Sequence, residues 1–119
     1  MTQPIYSEQV CQNYHQAIEF IGKKWIGAIL YSLVDGPLRY NEIHARIEGI
    51  SDRLLTQRLN ELVDADMIEK EYINDSVKKT KYRLTENGQA FKEVIHSIQK
   101  WVHTCQKTNQ CKEPTSPNI

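Results

Sequence analysis

The chain has 119 residues, 39% hydrophobic and 25% charged, which suits one compact domain with a modest core and leaves little room for a multidomain enzyme. Fifteen basic and fifteen acidic side chains cancel to a formal net charge of zero, excluding an all-over basic protein and a highly charged disordered chain. Any surface for a polyanion must therefore be local. Residues 1–9, with Pro4 and few apolar side chains, are expected to form a flexible arm. From there Val10, Tyr14, Ala17, Ile18 and Ile21 recur at three-and-four spacing and predict a helix with one buried face, ended at Gly22 and carrying Cys11 in its first turn. A second helix, about residues 24–34, places Trp25, Ile26, Ile29, Leu30 and Leu33 on its apolar side, and Asp35-Gly36-Pro37 stops it. A third, about residues 40–47, buries Ile43 and Ile47 and ends at Gly49, where a left-handed residue costs least. Ser51 is a good N-cap for a fourth helix through Ala65, with Leu54, Leu55, Leu59 and Leu62 repeating on one side.

Beyond the fourth helix the period changes. Residues 67–73 (MIEKEYI) and 81–84 (KYRL) read as two short strands, with the polar stretch 74–80 as the loop of a hairpin. Thr85-Glu86-Asn87-Gly88 then opens a long helix to about Gln106, with Phe91, Val94, Ile95, Ile98, Trp101, Val102 and Cys105 on one stripe suited to packing against a partner helix. Residues 107–119 are read as a polar tail. The expected fold is mainly α with a small β-hairpin: a winged helix-turn-helix over residues 10–106, flanked by N- and C-terminal helices. The longest apolar window, residues 25–34, falls far short of the about 20 residues that cross a bilayer. The opening residues lack the pattern of a secretory signal, so no membrane partner and a cytoplasmic location are expected.

The outward faces of these elements carry the chemistry. With the leucines defining the core side of the fourth helix, a rotation of about 100° per residue sets Arg53, Gln57, Asn60 and Asp64 opposite, with Thr56 beside them. Arg pairs bidentately with guanine, Gln and Asn with adenine, and Thr offers a hydroxyl or methyl contact. Ser51 and the helix N-terminus favour a phosphate. In the hairpin Lys70, Lys78, Lys79, Lys81 and Arg83 outnumber Glu71 and Asp75, a cationic wing suited to backbone phosphates or an adjacent minor groove. Arg39, with Lys23 or Lys24, adds candidate phosphate contacts. Each feature taken alone reads first as a solvated amphipathic helix or an ordinary charged loop; their order and spacing together favour double-stranded DNA.

The combination Gly22-Lys23-Lys24-Trp25, Ile29-Leu30, Leu33, Gly36, Arg39-Tyr40, Glu42-Ile43, Gly49-Ile50-Ser51, Leu54-Leu55-Thr56, Arg58-Leu59, Leu62 and Tyr82-Arg83-Leu84-Thr85 with Gly88 resembles the HxlR family of bacterial winged-helix transcriptional regulators. The resemblance runs from about Cys11 to Trp101 and implies a homodimer that binds a DNA operator, repression being the family default. Within the family the chain is most similar to thiol-based sensors of quinones, electrophiles and disulfide stress. These carry a cysteine where Cys11 stands, and some have a C-terminal pair in the region of Cys105 and Cys111. Two departures bear on the wing: Asp66-Met67 replaces the usual Gly-Leu after the reading helix, and residues 74–80 lack the usual proline. Asp tolerates a left-handed backbone, so the turn can still form.

Physical chemistry also singles out Cys11, because a helix N-terminus favours the nucleophilic thiolate. Approach of Cys11 to Cys105 or Cys111 of a second copy would let oxidation move the two reading helices off their half-sites, and alkylation by a quinone or another electrophile would need no disulfide. Cys105 as a small core hydrophobe and Cys111 as an incidental thiol remain open, as does the choice of pair. Metal sensing has Cys11 and His15 one turn apart and His103, Cys105 and Cys111 at the other end, but no CxxC or HxxxH pair, so neither metal nor cofactor is expected. His44 and His96 read as surface or partly buried side chains. A thiol hydrolase using Cys11 and His15 lacks a phosphate loop, carboxylate pair or nucleophile elbow, so no enzyme is expected. A non-redox ligand input, or a protein-interaction module without DNA, are the remaining alternatives; steep loss of DNA affinity with salt separates the last from a regulator.

Overall fold

The computed structural model describes the backbone of residues 8–73 and 76–108 and the side chains of residues 12–72 and 80–106. Five helices surround a small sheet: α1 (Glu8–Ile21), α2 (Ile26–Ser32), β1 (Leu38–Arg39), α3 (Tyr40–Arg46), α4 (Asp52–Asp64), β2 (Ile68–Ile73), β3 (Ser76–Leu84) and α5 (Glu86–Thr108). The sheet is antiparallel with strand order β1-β3-β2. Its core is aliphatic, with Ile26, Ile29, Leu30, Ile43, Leu55, Leu59, Leu62 and Ile68 almost wholly buried. The helical spacing of α2 and α4 is what turns these residues to one side.

Two joints fix α4. At its start the Ser51 Oγ accepts the Leu54 backbone N–H at 3.1 Å, the N-cap that the sequence predicts. At its end the Asp66 N–H donates to the Val63 carbonyl and the Met67 N–H to the Leu62 carbonyl, at 2.9 and 3.0 Å. This is a Schellman closure with Asp66 in the left-handed position at φ 60°, where the short carboxylate side chain tolerates what most residues do not. Gly49, at φ 95°, makes the turn between α3 and α4 as expected.

The start of α5 is lashed to the end of α4. Thr85 donates its backbone N–H to the Met67 carbonyl (3.0 Å) and its hydroxyl to the Asp66 carbonyl (2.5 Å), while the same hydroxyl accepts the Gly88 N–H at 3.1 Å. Gly88 is buried so tightly that a Cβ there would be driven into the Met67 carbonyl oxygen.

Four expectations need correction. Trp25 is not inside the second helix: it precedes α2 in a left-handed conformation at φ 82°, because burying its indole in the core outweighs the backbone cost. Leu38–Arg39 form a strand with no signal of its own, since two residues cannot display a period. Residues 76–80 belong to β3, not to the loop, and residues 74–75 lie outside the described residues. The face of α1 expected to be buried is open in the single chain, with Tyr14 63% and Ile18 44% exposed. Helical spacing reports an apolar face without saying whether its cover comes from the same chain.

Candidate nucleic-acid interface

The α4 helix divides cleanly. Leu55, Leu59 and Leu62 are buried, and Ser51, Arg53, Thr56, Gln57 and Asn60 are exposed. The structure therefore brings Arg53, Thr56, Gln57 and Asn60 onto one accessible side of α4, with Ser51 capping its N-terminus. Asp64, which counts against a DNA-reading face, is the last residue of α4. At 1.5 Å per residue it lies about 18 Å along the axis from Asp52.

Arg58 is different. Its guanidinium faces inward, donating to the Lys24 carbonyl (3.0 Å) and to Glu61 (3.0 Å), and the Lys23 ammonium reaches the same Glu61 carboxylate at 3.5 Å. This network ties the α1–α2 corner to α4. Burial pushes the Glu61 carboxyl up, but Arg58 and Lys23 outweigh it and hold the pKa below the usual value. Lys23 is thus already paired and Lys24 lies over the Trp25 ring at 5.0 Å, which weakens the case for either as a phosphate contact.

A polar cluster that the sequence did not reveal sits where α3 meets the start of α4. The Tyr40 hydroxyl lies 3.0 Å from Asp52 Oδ1 and 3.1 Å from the Asp52 carbonyl oxygen, so its single proton is shared between them. Thr56 Oγ1 approaches the Tyr40 oxygen at 3.5 Å. His44 stacks on the Tyr40 ring at 18° and places Nε2 3.5 Å from Asp52 Oδ1. Burial raises the Tyr40 pKa, and Asp52 adds to this against the opposing Thr56 bond, so the phenol keeps its proton and donates. No residue spacing announces such a tie between Tyr40 and Asp52.

On the sheet, register sets Arg39 of β1 opposite Lys81 of β3, with Lys81 also opposite Glu71 of β2. Arg39 begins α3, its backbone N–H donating to the Glu42 carboxylate at 2.7 Å. The charge excess expected in the wing is smaller than it looked, because Glu69 is a third acid there and takes Arg83 at 2.6 Å. The backbones of Lys78 and Lys79 lie in β3, with their side chains outside the described residues. Arg39, Arg53 and Lys81 form no ion pair among the described residues.

Residues 20–110 match the profile of the HxlR-like helix-turn-helix family. The chain belongs to that family. It is 36% identical over 92 residues to the HTH-type transcriptional regulator YodB of Bacillus subtilis strain 168, covering 77% of this chain and 82% of YodB. The reduced form of B. subtilis YodB superposes with a TM-score of 0.70 at 33% identity, over 82% of this chain and 91% of that one. Its quinone-bound crystal structure gives 0.69 at 34% identity, over 77% and 96%. The redox regulator HypR in its reduced form gives 0.74 at 26% identity, over 82% and 97%. The protein is a DNA-binding transcriptional regulator of the helix-turn-helix type and not an enzyme, as the sequence predicts.

With α3 and α4 joined by the turn at Gly49, α4 is the second helix of the helix-turn-helix, and the β2–β3 hairpin that follows is the wing. Among the described residues no helix is long and apolar enough to cross a membrane. Of the three cysteines, Cys11 lies in the first turn of α1, with its side chain outside the described residues. Cys105 is half-buried on α5, and Cys111 lies outside the described residues. Around Cys105 the α5 stripe is largely open, with Trp101 63% and Ile98 47% exposed. An apolar groove of about 420 Å³ runs between α1 and α5, walled by Tyr14, Ile18, Phe20, Met67, Phe91 and Val94.

Proposed function

We propose that two copies of the chain bind one operator, each laying α4 in the major groove of successive turns of the duplex. Arg53, Gln57 and Asn60 then read base edges, Thr56 makes a hydroxyl or methyl contact, and Ser51 at the helix N-terminus meets a phosphate. Arg39, Lys81, Lys78 and Lys79 supply backbone contacts that set register and affinity. The observation that carries this reading is the division of α4 into a buried leucine face and an accessible polar face bearing an arginine without a carboxylate partner among the described residues.

The open apolar stripes of α1 and α5 support a homodimer formed through these helices, since exposed patches of this kind mark interaction surfaces. The input is a thiol reaction. Cys11 is the leading sensor, Cys105 and Cys111 are candidate partners, and a quinone, another electrophile or a disulfide-forming oxidant is the inducer. Likeness to YodB, solved in reduced and quinone-bound forms, supports this choice of chemistry. We read the outcome as repression relieved on modification, in cytoplasmic protein. The domain then spans about residues 10–106, with α1 and α5 each running two residues past these bounds, between an arm and a tail.

The test is a titration of the purified protein on the DNA upstream of its own gene, reduced and after diamide or benzoquinone, followed by non-reducing electrophoresis. Reduced protein binds with a steep salt dependence and treated protein releases. Cys11→Ser binds like the reduced wild type and does not release. Release of the treated Cys11→Ser protein refutes the sensing role of that residue.

A further inference from the structure

We propose that Tyr40 is a positioning residue for DNA binding, its hydroxyl masking the Asp52 carboxylate that otherwise stands in the path of the phosphate meeting the α4 N-terminus. The inference rests on α4 being the reading helix and adds a device that such a helix needs in this particular chain. Asp52 is the first residue of α4, next to Ser51, and its side chain is 80% exposed. A carboxylate there favours the helix dipole but repels the phosphate that the same N–H groups would otherwise attract. Tyr40 answers this conflict from α3. Its hydroxyl donates to Asp52 Oδ1 and, across the same proton, to the Asp52 carbonyl oxygen, so the exposed carboxylate is held in one orientation and part of its charge is spent in a hydrogen bond. His44 closes the other side, stacked on Tyr40 with Nε2 3.5 Å from the same oxygen. Thr56, one turn further along α4, lies 3.5 Å from the Tyr40 oxygen.

The experiment is a double-mutant cycle in the full-length reduced protein, read by operator affinity across a salt series, with thermal melts of every variant. Tyr40→Phe keeps the ring and removes the donor, releasing Asp52. Operator binding is expected to fall about two- to fivefold, the range of a single exposed charge interaction, and the deficit to shrink as salt rises from about 0.05 M to about 0.3 M. Asp52→Asn keeps an acceptor for Tyr40 and removes the charge. Binding should tighten, and Tyr40→Phe added to Asp52→Asn should have no further effect. An unchanged Tyr40→Phe affinity overturns the proposal. So does an equal loss in the Asp52→Asn background, which would mean that the hydroxyl touches DNA itself, or a loss that tracks the melting temperature and ignores salt. Arg53→Ala separates failures: if it also leaves affinity and specificity unchanged, the assignment of α4 as reader falls and the clamp falls with it. If Arg53→Ala weakens binding while Tyr40→Phe is silent, the clamp alone is wrong.

Discussion

Replacing Gly88 by alanine tests how α5 is joined to the reading helix, because two effects of opposite sign meet at one position. Alanine in a helix is favoured over glycine by about 1 kcal/mol, and by less in the first turn where Gly88 sits. Against this, the new Cβ would meet the Met67 carbonyl oxygen and lie 3.0 Å from Leu84 Cδ2 and 3.2 Å from Leu84 Cβ. The carbonyl it displaces is the one that accepts the Thr85 N–H. Overpacking of this kind costs about 1–3 kcal/mol, and the strained hydrogen bond costs about 1 kcal/mol more. Steric cost outweighs propensity, and the net loss is about 2 kcal/mol, or about 8 °C in Tm for a chain of this size. Gly27 is the internal control: it is exposed on α2, and nothing lies within 4 Å of a Cβ built there. Gly27, also in a first turn, should on replacement by alanine stabilise by up to about 0.5 kcal/mol. Urea and thermal melts of both variants, at matched protein concentration, decide the matter. A Gly88→Ala protein that melts at or above the wild type refutes the close approach of α5 to the α4–β2 turn.

Arg53→Ala should cost about 1–3 kcal/mol at one position of each half-site and relax preference there, whereas Lys79→Ala should weaken all duplexes alike and lower the salt slope by about one; a competition titration with single-base operator variants separates the two. Asp66→Gly relieves a left-handed non-glycine residue and should raise stability by about 0.5 kcal/mol, while Asp66→Val should lower it, as chemical denaturation will show. The depressed pKa of Glu61 stabilises the fold above the ordinary carboxylate pKa, and that contribution is lost as pH falls below about 4.3. Glu61→Gln should therefore be less stable than the wild type at neutral pH and converge with it in acid; parallel stability curves from pH 7 to pH 3 would disprove the Arg58–Glu61–Lys23 network.

Periodicity made α4 legible because its leucines are covered by the same chain: Leu55, Leu59 and Leu62 are buried, and the residues set opposite them are exposed. The Ser51 cap and the left-handed Asp66 were legible because each follows from the local chemistry of one residue. The same periodicity on α1 misled, since Tyr14 and Ile18 form an apolar face with no intrachain cover. Trp25 was misplaced for the opposite reason, a tertiary gain from burying its indole overriding the local backbone preference. The wing was read too short because β3 is polar along residues 76–81, where strand pairing rather than an apolar stripe holds it. Pairings between distant elements, such as Tyr40 with Asp52 or Glu69 with Arg83, leave no trace in spacing at all.

Those distant pairings also explain how a chain of zero net charge can face a polyanion. Glu61 is taken by Arg58 and Lys23, Glu69 by Arg83, and Asp52 by Tyr40 and His44, so three acids near α4 and the wing already have partners within the chain. Two of these pairings also consume cations, and one of those, Arg83, lies on the hairpin, which is why counting lysines and arginines there overstated its field. What matters for a phosphate is the set of cations left over, among them Arg39 and Lys81 side by side across the β1–β3 register, Lys70 on β2, and Arg53 on the exposed side of α4. These sit on the wing and on the reading helix, the two elements that meet the duplex in the proposed complex. Within a Debye length of about 8 Å at physiological salt, a phosphate responds to that local remainder and not to the sum over the molecule.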